Sequence, residues 1–222
     1  MGAFFAEYGS ILWAGTLETL YMTLVSAFFA YVLGLPMGVV LTVTKPGSIV
    51  PAPRFNAVFG WVVNILRSLP FIILMFFIIP FTRTLVGTSI GATAALVPLT
   101  ISAAPFIARM VEQSLEEIDR GVLEAAQCMG ASRWQIVTRV LLVESVPSLL
   151  RGLSISLITI LGYTAITGSV GAGGLGNIAF RYGYQRYQTE VMYATVVLLI
   201  LLVCIIQILF DRLARRADKR NK

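Results

Sequence analysis

The stretch LEAAQCMGASRWQIVTRVLLVE, residues 123–144, is charged, helix-prone and split by a glycine, yet it sits inside a chain that is 57% hydrophobic and only 13% charged. From Asp119 the sequence supports a helix as far as Met129, with Glu124, Ala125 and Ala126 in strong helix-forming context. Gly130 then permits a backbone turn, and Ser132 is placed to N-cap a second helix through Arg139. Two short helices with a bend between them make a knob, over about residues 119–142.

One reading of this segment is an amphipathic helix resting at a membrane interface. A protein contact fits the details better. Small Ala125 and Ala126 allow close approach, while Glu124, Arg133 and Arg139 orient the knob by charge. A cytosolic partner with a groove would hold it.

Outward from the knob the chain is apolar, with a mean hydropathy of +0.84. That value marks an integral membrane protein, and several runs reach the roughly 20 residues a helix needs to cross a hydrocarbon core of about 30 Å. The alternation of a transmembrane barrel is absent. Five segments stand out, at about 11–43, 57–81, 90–108, 145–169 and 191–210. The first lacks a basic region before it and a small-residue cleavage site after it, so it reads as a retained helix and not a removed signal. With an odd number of spans the termini lie on opposite sides. Lys45, Arg54, Arg109, Arg120, Arg133, Arg139 and Arg151 collect in the loops on the C-terminal side, against Arg83, Arg181 and Arg186 opposite, which predicts the N-terminus out and the C-terminus in.

The net charge of +6 does not point to nucleic acid, because much of it sits in one tail after the last span: Arg212, Arg215, Arg216, Lys219, Arg220 and Lys222. Such a cluster is a topology signal that can also meet anionic lipid. Cys128 and Cys204 show no metal or disulfide spacing and read as ordinary small residues. The connector KPGSIVPAPR, residues 45–54, is turn-rich. GSVGAGGLGNIAFRYGYQRYQTE, residues 168–190, reads as an external loop too polar for lipid. No repeat or second soluble domain emerges, so residues 1–222 are read as one transmembrane domain. Five helices are few to enclose a solute path, and a symmetric dimer with the path near its two-fold axis would complete it.

Glu124-Ala125-Ala126, three residues, then Gly130, between the third and fourth of five spans, resembles the Glu-Ala-Ala loop of permease subunits in ATP-binding-cassette importers. NILRSLPFIIL (residues 64–74), VPLTISAAPFIARMVE (97–112) and GYTAITGSVGAGGLGNIAFRYGY (162–184) closely resemble methionine-type permeases, over nearly the whole chain. One departure is that Leu142 is followed by Val143 where the family commonly has Leu-Pro, with Pro147 soon after. The resemblance implies an all-α type I importer permease fold: five transmembrane helices and a cytoplasmic two-helix coupling loop, in the bacterial cytoplasmic (inner) membrane. It also implies a homodimer of permeases, two cytosolic ATPase subunits each holding one knob, and an extracytoplasmic substrate-binding lipoprotein. The solute implied is methionine, in both stereoisomers; the rival is another amino acid or a small peptide. No cofactor is expected in this chain, since GAGGLG (171–176) lacks the lysine of a phosphate loop. ATP and Mg would be bound by the partner ATPase.

Glu124, Ala125, Ala126, Gly130 and Arg133 are therefore the expected coupling residues. In the fourth span Thr159, Gly162, Tyr163 and Ile166 fall at i, i+3, i+4 and i+7 and share a face. Helix packing through Gly162 is one reading. The resemblance turns the face towards the dimer axis, with Ile166 as an apolar gate. Arg67, beside Ser68 and near Pro70, is either a pathway contact needing a polar partner or an arginine snorkelling to the interface. Pro70, Pro98 and Pro105 are expected to bend their helices. Arg181, Tyr182, Tyr184, Arg186 and Tyr187 form either a docking surface for the binding protein or a self-packed lid. The chain has no histidine and no paired carboxylates in its spans, so neither a metal site nor a catalytic acid/base pair is predicted. No carboxylate ring or filter-like run supports a channel.

Overall fold

The structure, a computed structural model, describes residues 2–218. Lys219, Arg220 and Lys222 of the basic tail lie outside the described residues. All regular structure among the described residues is helical: α1 (Gly2–Val43), α2 (Pro53–Ser68), α3 (Phe71–Phe77), α4 (Ile79–Val86), α5 (Ala92–Glu116), α6 (Arg120–Cys128), α7 (Arg133–Gln135), α8 (Leu142–Glu144), α9 (Val146–Thr167), α10 (Gly174–Ile178) and α11 (Thr189–Ala217). Three π-helical stretches, Ile136–Leu141, Gly168–Ala172 and Ala179–Tyr184, join the shorter pieces.

Four helices are long and apolar enough to cross a membrane, and a fifth crossing is counted when α2 and α3 are taken as one span. The second span is bent by 96° between those two helices, at the Pro70 that was expected to bend it. Pro70 has no N–H to give and disfavours helical backbone at the residue before it. Leu69 accordingly turns extended, at φ −73° and ψ 125°. By contrast Pro98 and Pro105 sit buried inside α5, which runs as one helix through both.

In lipid every backbone group must be satisfied within its own segment, and hydroxyls follow the same rule. Thr16, Thr19 and Thr23 of α1 donate to the carbonyls of Leu12, Gly15 and Thr19, at 2.8, 2.9 and 2.8 Å. The last helix, α11, has only 11% of its most apolar stretch buried.

The centre of the fold is the crossing of α1 with α5. Ala30, Gly34 and Gly38 repeat at every fourth position and meet Ala104, Ile107, Ala108 and Val111. A Cβ on Gly34 would stand 2.7 Å from the Ala104 carbonyl oxygen, and one on Gly38 2.6 Å from that of Ala108. These are backbone atoms that cannot step aside. Small residues let the helices touch, which is what holds them together where lipid offers no hydrophobic drive.

Gly38→Val should destabilise the chain by about 3 kcal/mol, the upper end of overpacking costs, read as a lower midpoint of thermal unfolding in detergent. Gly9→Val, whose added Cβ meets nothing within 4 Å, should leave the midpoint unchanged.

Candidate coupling and gating surfaces

The knob begins where Asp119 caps α6, its carboxylate accepting from the N–H of Gly121 at 2.7 Å. The helix stops at Gly130, whose φ of +78° suits glycine. Ser132 then opens α7 through a reciprocal capping box. Its Oγ accepts from the N–H of Gln135 at 3.3 Å, while Gln135 Oε1 accepts from the N–H of Ser132 at 2.8 Å. α8 ends at a turn on Ser145, which stays in the helical region, and Pro147 falls in the first turn of α9. The backbone thus passes from the knob into the fourth span with helical hydrogen bonds on both sides of Ser145.

Glu124, Ala125 and Arg133 are exposed on the knob. Ala126 departs from expectation. It is buried, packed in the core cluster that also holds Ile136, Leu141, Ile118 at the end of α5, and Ile49 of the first connector. Its small size lets the knob's own parts close up and does not face outward. Met129 and Trp134, not singled out in the sequence, are 82% and 75% exposed on the knob. Two large apolar side chains on an otherwise polar loop form a patch that a partner could cover.

The expected face on α9 is only partly as read. Ile155, Gly162 and Ile166 are exposed on one side with half-buried Thr159, and nothing lies within 4 Å of a Cβ built on Gly162. Tyr163 is turned aside, because its ring stacks on Phe71 of α3 at 4.4 Å and 6°. It ties α9 to the far side of the bent span. Arg67 and Ser68 stand exposed in the last turn of α2, at the bend, and Ser68 Oγ donates to the Asn64 carbonyl at 2.7 Å. Of the two readings of Arg67, its exposure in the single chain is compatible with either a snorkelling arginine or a contact made across the dimer.

The glycine-rich loop also differs. Its first half folds back into the bundle, with Gly168, Gly174, Leu175, Gly176 and Ile178 buried. A Cβ on Gly176 would lie 2.5 Å from the Ala165 carbonyl oxygen, so glycine is what allows α10 to press against α9. Two neighbouring side chains of α1 receive it. Glu18 Oε2 accepts from the N–H of Gly174 at 2.6 Å, and Thr19 Oγ1 from that of Leu175 at 2.9 Å. Glu18 had escaped notice, although a lone acid inside an apolar run is a functional signal in its own right.

Only the second half of the loop is open. Arg181, Tyr184, Arg186 and Tyr187 are exposed, whereas Tyr182 is half-buried between the edge of Tyr8 and the Arg186 guanidinium, 4.8 Å from its ring centre.

At the knob end Lys45 stands between two carboxylates. Burial favours its neutral amine, but Glu112 and Glu116 outweigh that and raise its pKa above the ordinary lysine value. Its charge, and the stabilisation it brings, is therefore complete at neutral pH and lost only as the pH climbs through that raised value.

Residues 30–222 match the family described as the binding-protein-dependent transport system inner membrane component. The chain belongs to that family. It is 48% identical to the probable D-methionine transport system permease protein MetI of Vibrio cholerae, over 97% of this chain and 96% of that one. It is 46% identical to the methionine import system permease protein MetP of Bacillus subtilis, over 94% of each. Among solved structures, one described as inward-facing conformations of the MetNI methionine ABC transporter superposes with a TM-score of 0.94 at 52% identity, covering 96% of this chain and 99% of that chain. The matched region of this permease thus takes in the bent span, the knob and the buried hairpin alike.

Ser132→Ala should remove the cap of the second knob helix at a cost of about 1 kcal/mol. Amide hydrogen exchange over residues 133–141 should speed up roughly fivefold, with exchange in α5 unchanged.

Proposed function

We propose that this chain is the membrane-spanning subunit of an importer that carries methionine, D and L, inward at the expense of ATP hydrolysed elsewhere. Two copies form the path, and each presents its knob to a separate cytosolic ATPase subunit, which binds the ATP and Mg. A substrate-binding lipoprotein delivers the solute from outside. The N-terminus lies out and the C-terminus in, as the basic loops favour. The observation that carries the reading is the near full-length likeness to methionine permeases, in sequence and in fold together.

The geometry supplies a mechanism. Glu124, Ala125, Gly130, Arg133, Met129 and Trp134 form the contact with the ATPase, while Ala126 braces the knob from within. α6 follows α5 after three residues, and α5 is locked to α1, so closure of the ATPase pair moves the knob and its helices as a rigid body. The open face of α9 meets its symmetry mate, where Ile166 closes the path as an apolar gate, with Thr159 and Gly162 beside it. Tyr163, Arg67 and Ser68 flank the path at the bend of the second span. Arg181, Tyr184, Arg186 and Tyr187, supported by Tyr182, receive the binding protein.

The test is uptake of labelled methionine into vesicles holding this chain, its ATPase and its binding protein. Uptake that needs internal ATP and yields only to methionine-like competitors is the expected result; flux without ATP would overturn the coupling, and stimulated ATPase activity without methionine uptake would move the solute. Ile166→Gly should let methionine leak through vesicles lacking ATP. Gly130→Leu, strained by about 1–2 kcal/mol at a positive φ, should co-purify with the ATPase about tenfold less well.

A further inference from the structure

Three elements are joined at the knob end by one cluster of charges. Arg109 of α5 places Nη1 2.6 Å from Glu112 Oε2 and donates through Nη2 to the carbonyl of Gly60 in α2 at 2.7 Å. Glu112, only 4% exposed, also takes Lys45 Nζ at 2.8 Å, and Lys45 pairs in turn with Glu116 at the end of α5. The cluster therefore binds the connector after α1, the body of α2 and the last turns of α5, three residues before the Asp119 cap of the knob.

Stability does not account for it. A buried ion pair is a poor stabiliser next to an apolar filling of the same volume, and Arg109 Nε is buried here with no acceptor. What a guanidinium offers is a planar fork that holds two acceptors at a fixed angle, which an ammonium cannot do. Glycine at position 60 leaves room for it, since a Cβ there would stand 3.3 Å from Nη2. The far end of α2 is the 96° bend, beyond which Phe71 stacks on Tyr163 of α9. Whatever turns α2 is thereby felt beside the open face of α9.

We infer that Arg109, held by Glu112, which Lys45 in turn anchors to the connector, is the positioning residue through which movement of the knob is carried to the bent span and so to the face of α9. The inference rests on the transport reading above. It makes α2 a passenger of α5: the two move as one body when the ATPase closes, and the bend between α2 and α3 absorbs the difference.

Two variants cut the link in different ways. Arg109→Lys keeps the charge and loses the fork, whereas Gly60→Leu keeps every charge and wedges the guanidinium off the carbonyl. Each is placed in the full complex with its ATPase and binding protein, and two readouts are taken. The first is methionine imported per ATP hydrolysed, expected to fall about tenfold in both variants while hydrolysis stays within about twofold of the parent. The second is the distance between spin labels at Ala57→Cys and Gln113→Cys, with Cys128 and Cys204 replaced by serine. That distance should be the same with and without ATP in the parent and should shift or broaden on ATP addition in both variants. Equal distances in all three proteins, or uptake and hydrolysis falling in parallel, would overturn the inference. Should the parent complex import no methionine, the solute reading falls, and the distances alone still decide whether Arg109 holds α2 to α5.

Discussion

Helices immersed in lipid gain nothing from hiding apolar side chains against one another, so what holds α1 to α5 is the closeness of their backbones. Ala30, Gly34 and Gly38 on one side and Ala104 and Ala108 on the other strip the contact of side-chain bulk. Dispersion between atoms at contact distance then does what the hydrophobic effect does in water. The rest of the molecule hangs from this pair. The knob continues α5, the first connector continues α1, and Ile49 of that connector is buried in the same cluster as the knob's Ala126, Ile136 and Leu141. A shift at any of these points cannot be taken up by slippage between α1 and α5.

Rigidity in one place makes bending elsewhere useful. The second span is broken at Leu69 and Pro70, and α9 passes through π-helical geometry into the glycine hairpin. Both departures lie away from the central crossing, and both are tied back to rigid elements by a few specific contacts. Phe71 on Tyr163 is one. The other is the pair Glu18 and Thr19, which supply the acceptors that the first N–H groups of α10 lack. Such contacts act like pins, fixing where a flexible piece is held while leaving its own backbone free to bend.

Much of this was legible in the residues. Hydropathy located the spans, because a run of about 20 apolar residues has few other uses. The knob could be read to the residue at Gly130 and Ser132, since a positive φ and an N-cap each demand a narrow set of side chains. What escaped has physical reasons. Pro70 announces a bend within residues 57–81, but only the extended backbone it imposes on Leu69 sets how sharp that bend is. The segment around Gly168 to Ile178 looked external because glycine counts as polar in hydropathy. Its lack of a side chain is what lets the backbone enter the bundle. Tyr163 shares a helical face with Gly162 and Ile166 by spacing, but a ring can swing to a partner that the spacing does not know of.

Charge placement completes the argument. The structure keeps ionisable groups at two levels of the bundle and binds each to backbone from another helix: Glu18 to the N–H of Gly174, and Arg109 to the carbonyl of Gly60. A side-chain charge bound to a distant backbone group is stronger than a neutral hydrogen bond and is satisfied at only one geometry. It therefore favours a definite arrangement of two segments, where an apolar contact tolerates sliding. In a bundle whose apolar surfaces gain nothing from choosing each other over lipid, such bonds are the means by which non-neighbouring segments are set in register. The cost of placing charge there is the reason there are few of them. Each joins the rigid pair to a piece that bends, where register matters most.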